Sequence, residues 1–178
     1  MNILLITNDW KPKTGGISTY LRSLVENLDH KFFIYGPSWI EGNDAYPAAD
    51  TFIINPRKVF EDIQKIVNEN QIDIILHGSS NPNFLFVNKL NTLDVPNSPK
   101  NVKIPQYMIC HGAEFNVLNY IPIVRNLLSR NLDNLNTIFT VSEFSRKKLV
   151  DITDTEIINI GAGIEIPNYE NNYENNVP

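Results

Sequence analysis

Seven short apolar runs recur along the chain, and they constrain its fold more than any other feature. They occupy residues 1–7, 31–35, 51–54, 72–77, 104–110, 137–141 and 156–160. Apolar residues follow one another within these runs instead of alternating with polar ones. This is typical of strands that are buried on both faces of a parallel sheet.

Segments with helical periodicity separate these runs. The spacing of their apolar residues predicts helices over about 17–28, 59–70, 84–90, 121–132 and 143–150. In the first of them the apolar side chains share one face, which suits a helix that packs on a sheet. The repeated strand–loop–helix order predicts an α/β fold. We expect three layers, helix–sheet–helix, around a mostly parallel, doubly wound sheet with right-handed crossovers.

Chain length and a polar tail set the expected domain organisation. The 178 residues suffice for one domain with a full core. We expect this domain to span residues 1–167, with exposed loops at 38–50 and 94–101. Residues 168–178 contain Tyr–Glu–Asn–Asn twice. This segment is too polar to bury a core and is expected to form a linker or tail.

Charge and cysteine content argue against several classes of protein. Non-specific binding of nucleic acid needs a basic face, whereas the net charge here is -5. The single cysteine, Cys110, cannot form an internal disulfide and fits a reducing compartment. The N-terminal apolar run is too short for a signal peptide or a membrane span. We therefore expect a cytoplasmic protein, with the inner face of the membrane as the alternative location.

Polar or glycine-rich residues follow five of the predicted strands, at 8–16, 78–80, 111–114, 142 and 161–163. The carboxyl ends of parallel strands lie at one edge of a sheet, and open α/β sheets bind their ligands there. The residues that follow the strands are therefore expected to surround one crevice. Such convergence of polar groups favours a ligand site.

The Gly15–Gly16 pair fits two structures. Residues without side chains permit positive φ and let an anion approach the free amides at the start of a helix, near Ile17 and Ser18. A tight strand-to-helix turn without any ligand explains the same pair. The residues alone leave both interpretations open.

The other candidate residues also have plain structural explanations. His111 suits a hydrogen bond at the end of a strand, and Glu114 suits solvation or helix capping. Ser142 is well placed to cap the helix 143–150, and Arg146 suits the solvated face of that helix. The apolar face of the helix 121–132 is attributed to core packing in preference to contact with lipid.

Four segments, taken in order, resemble those of retaining glycosyltransferases of family 4. Residues 8–17 read Asn–Asp–Trp–Lys–Pro–Lys–Thr–Gly–Gly–Ile, and residues 111–114 read His–Gly–Ala–Glu. Residues 141–146 read Val–Ser–Glu–Phe–Ser–Arg, and residues 160–165 read Ile–Gly–Ala–Gly–Ile–Glu. The resemblance covers nearly the whole chain. It implies the N-terminal, acceptor-side half of a GT-B enzyme, in which two Rossmann-like domains face each other across a cleft.

The resemblance also implies roles for single residues. Gly15 and Gly16 would keep the loop small where the donor diphosphate meets the acceptor, and His111 would lie beside the transferred sugar as the catalytic residue. The further substrate-binding or diphosphate-binding positions are Asn8, Gly112, Glu114, Ser142 and Arg146. The family uses a nucleotide-sugar donor as co-substrate, so we expect no cofactor and no metal. Its acceptors are glycans, lipid-linked molecules or small molecules.

Two departures and several alternatives bear on this resemblance. Ala162 and Glu165 stand where the family usually has Asn and Asp. The nucleotide-binding second domain has no counterpart among these 178 residues, so we expect that the chain alone does not transfer sugar. The competing hypotheses are a GT-B epimerase half and a non-catalytic interaction module. A nicotinamide, flavin or P-loop protein is disfavoured because the corresponding glycine motifs are absent.

Overall fold

The computed structural model describes residues 1–48, 55–98, 102–112 and 122–163. Strands β1 to β7 span Asn2–Ile6, Lys31–Gly36, Ala45–Pro47, Ile74–His77, Gln106–Cys110, Thr137–Thr140 and Ile157–Asn159. Helices α1 to α5 span Gly16–Asn27, Pro56–Asn70, Val87–Leu90, Pro122–Leu132 and Glu143–Val150. A short 3₁₀ turn, Asn83–Leu85, precedes α3.

The seven strands of the described residues form one sheet in the order β3-β2-β1-β4-β5-β6-β7. All neighbouring strands are parallel, and Leu4 of β1 lies between Phe33 of β2 and Ile75 of β4. From β1 the chain adds β2 and β3 on one side of the sheet. It then returns to the other side of β1 and adds β4, β5, β6 and β7 in turn. The predicted parallel, doubly wound α/β fold is therefore confirmed, and its topological switch point lies between β1 and β4.

Helices cover both faces of this sheet. On β1, Leu5 packs in one buried cluster with Leu21 of α1, whereas the adjacent Leu4 packs in another with Ile63 of α2. All four side chains have no exposed surface, and burying one such side chain contributes about 1.5–3 kcal/mol. Successive residues thus face opposite layers, as the uninterrupted apolar runs predict.

Helix α4 packs on the sheet through one face. Leu128 and Leu132 are completely buried in a cluster with Met108 and Ile138, whereas Leu127 is 45% exposed. This arrangement supports core packing for the helix predicted over 121–132. None of the helices in the described ranges has the length and apolar character that crossing a bilayer requires.

The predicted loop over 38–50 needs correction, because it contains the edge strand β3. The Ile34 N–H donates to the Asp44 carbonyl at 2.8 Å, just before β3 begins to pair with β2. Pro47 ends this strand and is tolerated because an edge strand leaves one side of its backbone unpaired. A strand of three residues has too few apolar positions to produce a recognisable run. The strand predicted over 51–54 lies outside the described residues.

The helix predicted over 84–90 is split into the 3₁₀ turn and α3. Within that turn, the buried side-chain amide of Asn83 donates to the Ile6 carbonyl at 2.8 Å. This bond ties the turn to the end of β1. Val87, at the start of α3, is then fully buried against the sheet.

Candidate active-site cleft

An open cleft of about 670 Å³ lies at the carboxyl edge of the sheet, beside the first half of α1. It is lined by Gly16, Ile17, Thr19, Tyr20, Ser23, His111, Val141, Ala162 and Gly163. The structure therefore brings Gly16 and His111 into one crevice, where the sequence pattern predicts them. No lysine, arginine or carboxylate is among these lining residues, so the polar groups of the described wall are hydroxyls, an imidazole and backbone.

His111 directly follows β5 and is held by two groups from other elements. Its Nε2 lies 3.0 Å from the Gly78 carbonyl, which follows β4. A carbonyl can only accept, so Nε2 carries the hydrogen and Nδ1 of the neutral ring is an acceptor. The ring of Tyr20 meets the imidazole edge to face, with centroids 5.4 Å apart at 82°.

The charge state of His111 follows from its surroundings. Partial burial lowers the pKa of His111, and this effect outweighs the Gly78 hydrogen bond and the Asp9 charge, which both raise it. The imidazole is therefore mostly neutral at pH 7. Nδ1 has no hydrogen-bond partner in the part of the chain that the structure describes. A neutral ring with a vacant acceptor suits a hydroxyl-bearing ligand.

Gly15 and Gly16 leave open space at the start of α1. A Cβ at either position would have no atom within 4 Å. Gly15 has φ 179° and ψ 166°, an extended conformation that any residue adopts. Gly15 therefore does not use the access to positive φ that glycine permits. Its effect is to keep the first amides of α1 accessible, since intrahelical bonding starts with Thr19 N–H donating to Gly15 at 2.9 Å.

Gly112 has a structural reason to be glycine. Its φ is +96°, and a Cβ there would lie 2.5 Å from Oγ of Ser145 in α5. The backbone of the His–Gly segment thus packs directly on that helix. Gly112 fixes the course of the chain after His111 and does not line the cleft.

Ser142 and Arg146 are predicted site residues that lie outside the cleft lining. Ser142 caps α5, since its Oγ accepts from the Ser145 amide at 3.2 Å. Arg146 forms two exposed hydrogen bonds of 2.8 Å to Glu143. This pairing lowers the pKa of Glu143. The structure thus favours the capping and solvated-face interpretations for this pair.

Asn8 lies where β1 ends and joins two loops. Its Oδ1 accepts from Oγ of Ser79, which is almost completely buried after β4. Asn8 therefore links the loops that follow β1 and β4. It is not among the residues that line the cleft. Glu114 lies outside the described residues.

The roles of two residues of the cleft region were not predicted from the sequence. Tyr20 carries the ring that packs on His111, yet its spacing marks it only as part of an apolar helix face. Gly78 supplies the carbonyl, and a Cβ there would lie 2.8 Å from Leu21 Cδ1. The glycine after β4 was the available signal, because it shows that the chain passes close to another element. The described residues contain no group of three or more His, Cys, Asp or Glu that could hold a metal.

A parallel sheet in this order, with an open cleft at the carboxyl ends of its strands, is the architecture of a Rossmann-like domain such as those of GT-B proteins. Sucrose-phosphate synthase from Thermosynechococcus elongatus shares it, with a TM-score of 0.55 over 93% of this chain and 91% of that one. The two are 12% identical, so the likeness concerns the fold alone.

The sequence is similar to curated mannosyltransferases. Over 162 residues it is 24% identical to a GDP-mannose-dependent alpha-(1-6)-phosphatidylinositol monomannoside mannosyltransferase from Mycobacterium tuberculosis, covering 82% of this chain and 40% of that protein. Its namesake from Mycolicibacterium smegmatis is also 24% identical, over 160 residues, with 82% and 39% covered. The chain thus spans about 40% of the length of these relatives. No family model matches it. Fold and relatives together confirm the predicted resemblance: the chain has the Rossmann-like fold of a GT-B domain and is similar in sequence to glycosyltransferases.

Proposed function

We propose that this chain is the acceptor-side domain of a retaining hexosyltransferase of the family 4 type. It would move a sugar from a nucleotide-sugar donor to a hydroxyl of a glycan, lipid-linked or small-molecule acceptor. The observation that carries the proposal is the shared cleft, in which the open start of α1 at Gly16 faces the same space as the neutral imidazole of His111. Because the mycobacterial relatives are named for GDP-mannose, mannose is the first donor sugar to test.

In the proposed reaction, the start of α1 and His111 have different roles. In a retaining transfer on one face, the anomeric carbon–oxygen bond breaks and its electron pair leaves with the diphosphate. The acceptor oxygen bonds to the same face of that carbon, and its proton passes to a phosphate oxygen. The amides at Gly16 and Ile17 would stabilise the growing negative charge on the diphosphate. Nδ1 of His111 would accept a hydrogen bond from a sugar hydroxyl. The proposal includes no metal and no cofactor.

The proposed division of labour places nucleotide binding in a second domain. Residues 1–167 would form the acceptor-side domain, and residues 168–178 would lead toward its partner. The mycobacterial relatives extend well beyond the part that matches this chain. On this basis the 178 residues alone bind ligands weakly and do not transfer sugar.

NMR of the 178-residue chain tests the proposal. GDP-mannose, UDP-glucose, methyl α-mannoside and inositol are added separately at millimolar concentration, with GDP-mannose hydrolysis and transfer followed in parallel. We expect amide shifts at Gly16 and Ile17 with the nucleotide sugars, shifts of the His111 ring with the sugars, and no transfer. A His111→Ala variant should lose the sugar-induced shifts of the backbone amides beside position 111, whereas a Leu127→Gln variant on α4 should keep them. The absence of any shift at the cleft with all four compounds would overturn the proposal.

A further inference from the structure

His111 is fixed by two contacts of different kinds. The hydrogen bond to the Gly78 carbonyl holds Nε2 at 3.0 Å. The Tyr20 ring, 5.4 Å away at 82°, restrains the plane of the imidazole. The two contacts come from opposite sides of the switch point, one from the end of β4 and one from α1.

Both contacts are attached to well-packed parts of the domain. Tyr20 is followed on α1 by Leu21, which has no exposed surface. The Gly78 amide donates to the Ile6 carbonyl at 2.8 Å. A Cβ at Gly78 would lie within 3.2 Å of three side chains, so the backbone at Gly78 is closely packed against its neighbours. The imidazole therefore meets two rigid neighbours.

We propose that Tyr20 is a positioning residue, which together with the Gly78 carbonyl holds His111 as the Nε2–H tautomer with Nδ1 presented to the cleft. His111 then acts as a hydrogen-bond acceptor for a ligand hydroxyl and does not deliver a proton. The identity of that hydroxyl as a sugar hydroxyl rests on the proposed function. The fixed orientation and tautomer are properties of this chain alone.

The ring of Tyr20, and not its hydroxyl, does this positioning. The hydroxyl makes no hydrogen bond within the part of the chain that the structure describes. Burial raises the pKa of Tyr20, so the phenol stays neutral at physiological pH and puts no charge beside the imidazole. Asp9, in the loop between β1 and α1, is the described acidic residue whose charge acts on His111. Phenylalanine at position 20 should therefore replace tyrosine in this role.

Three variants of the 178-residue chain test the proposal by NMR. Tyr20→Ala removes the ring, and Tyr20→Phe removes only the hydroxyl. Tyr46→Ala removes another partly buried tyrosine, on β3 at the edge of the sheet, and is the matched control. Long-range ¹H–¹⁵N spectra recorded against pH report the tautomer and pKa of every histidine, with His30 and His77 as internal references for His111.

The proposal expects His111 to be a single Nε2–H tautomer in the wild type, in Tyr20→Phe and in Tyr46→Ala. In Tyr20→Ala, water reaches the ring, so the pKa of His111 should rise by about half a unit or more. The Nδ1–H tautomer should then become detectable. If Tyr20→Ala does not fold, Tyr20→Leu is measured instead, because it keeps apolar bulk without a ring.

Two results would overturn the proposal. One is a His111 tautomer and pKa that do not respond to loss of the ring. The other is a change in Tyr20→Phe as large as that in Tyr20→Ala, which would assign the effect to the hydroxyl. No ligand is used, so a failure of the cleft to bind sugars would count against the proposed function and leave this measurement valid.

Discussion

Nε2 of His77 lies 3.0 Å from Oε1 of Gln106, across the β4–β5 pair and wholly inside the domain. Gln106 is oriented by its own amide, which donates to the Val87 carbonyl at 3.1 Å. Oε1 must therefore accept, and Nε2 of His77 carries the hydrogen. Nδ1 is left buried with no partner in the described structure. Burial lowers the pKa of His77 to about 4, although the Gln106 bond raises it.

This burial predicts a loss of stability in mild acid. The pKa of His77 is about 4 in the folded chain and 6.5 in the reference state. The unfolded state therefore binds more protons below pH 6.5. The stabilising effect of a neutral His77 is complete above pH 6.5 and is lost as the pH falls towards 4. The loss is about 1.4 kcal/mol per pH unit and about 3 kcal/mol in total.

Urea unfolding of the wild type and of His77→Gln between pH 7.5 and 4.5, about three units, measures this loss. The carboxylates titrate in both proteins, so their contribution cancels in the difference. We expect the wild type to lose more stability than His77→Gln over this interval. Parallel curves for the two proteins would show that His77 does not titrate with unfolding.

Alanine at Gly16 should separate stability from ligand binding. A Cβ there meets no atom within 4 Å. The chain also loses less conformational entropy on folding with alanine at this position than with glycine. The free energy of unfolding should stay constant or rise by up to about 1 kcal/mol. The added methyl group occupies the cleft, so the proposed diphosphate response at the start of α1 should weaken.

The melting temperature and the NMR titration with GDP-mannose measure the two effects of Gly16→Ala. Glu26→Ala, an exposed position on the same helix, controls for the change in helix propensity. Destabilisation by Gly16→Ala would contradict the open geometry. An undiminished response to the nucleotide sugar would show that the ligand does not approach Gly16.

Helix α5 offers a comparison between capping and a surface ion pair. Ser142→Ala removes the acceptor of the Ser145 amide and should cost about 1 kcal/mol of stability. Arg146→Ala removes an exposed pair with Glu143 and should leave the melting temperature within error. Thermal unfolding of both variants tests this order. A larger effect of Arg146→Ala on ligand binding than on stability would restore its predicted place in the site.

The sequence pattern predicted the features of the fold that depend on the spacing of residues along the chain. Uninterrupted apolar runs led to the parallel sheet, and the residues after them led to the edge that holds Gly16 and His111. The partner of His111 was not visible, because Tyr20 belongs to a helix face whose period marks it as core. The close approach of Gly112 to Ser145 was not visible either, since it depends on how β5 and α5 pack in three dimensions.

That approach gives the sharpest test of how the His–Gly segment is held. In Gly112→Ala, the residue must keep φ near +96° and its Cβ meets Oγ of Ser145 at 2.5 Å. Strain in such a conformation costs about 1–3 kcal/mol, and the contact adds to it. Ser145→Ala removes the oxygen, while Cβ of residue 145 lies 3.8 Å from the new methyl group, an ordinary contact. The stability lost by the double variant should therefore be about 1 kcal/mol smaller than the sum of the losses in the two single variants. Additive losses in urea unfolding would show that backbone strain alone makes glycine necessary after His111.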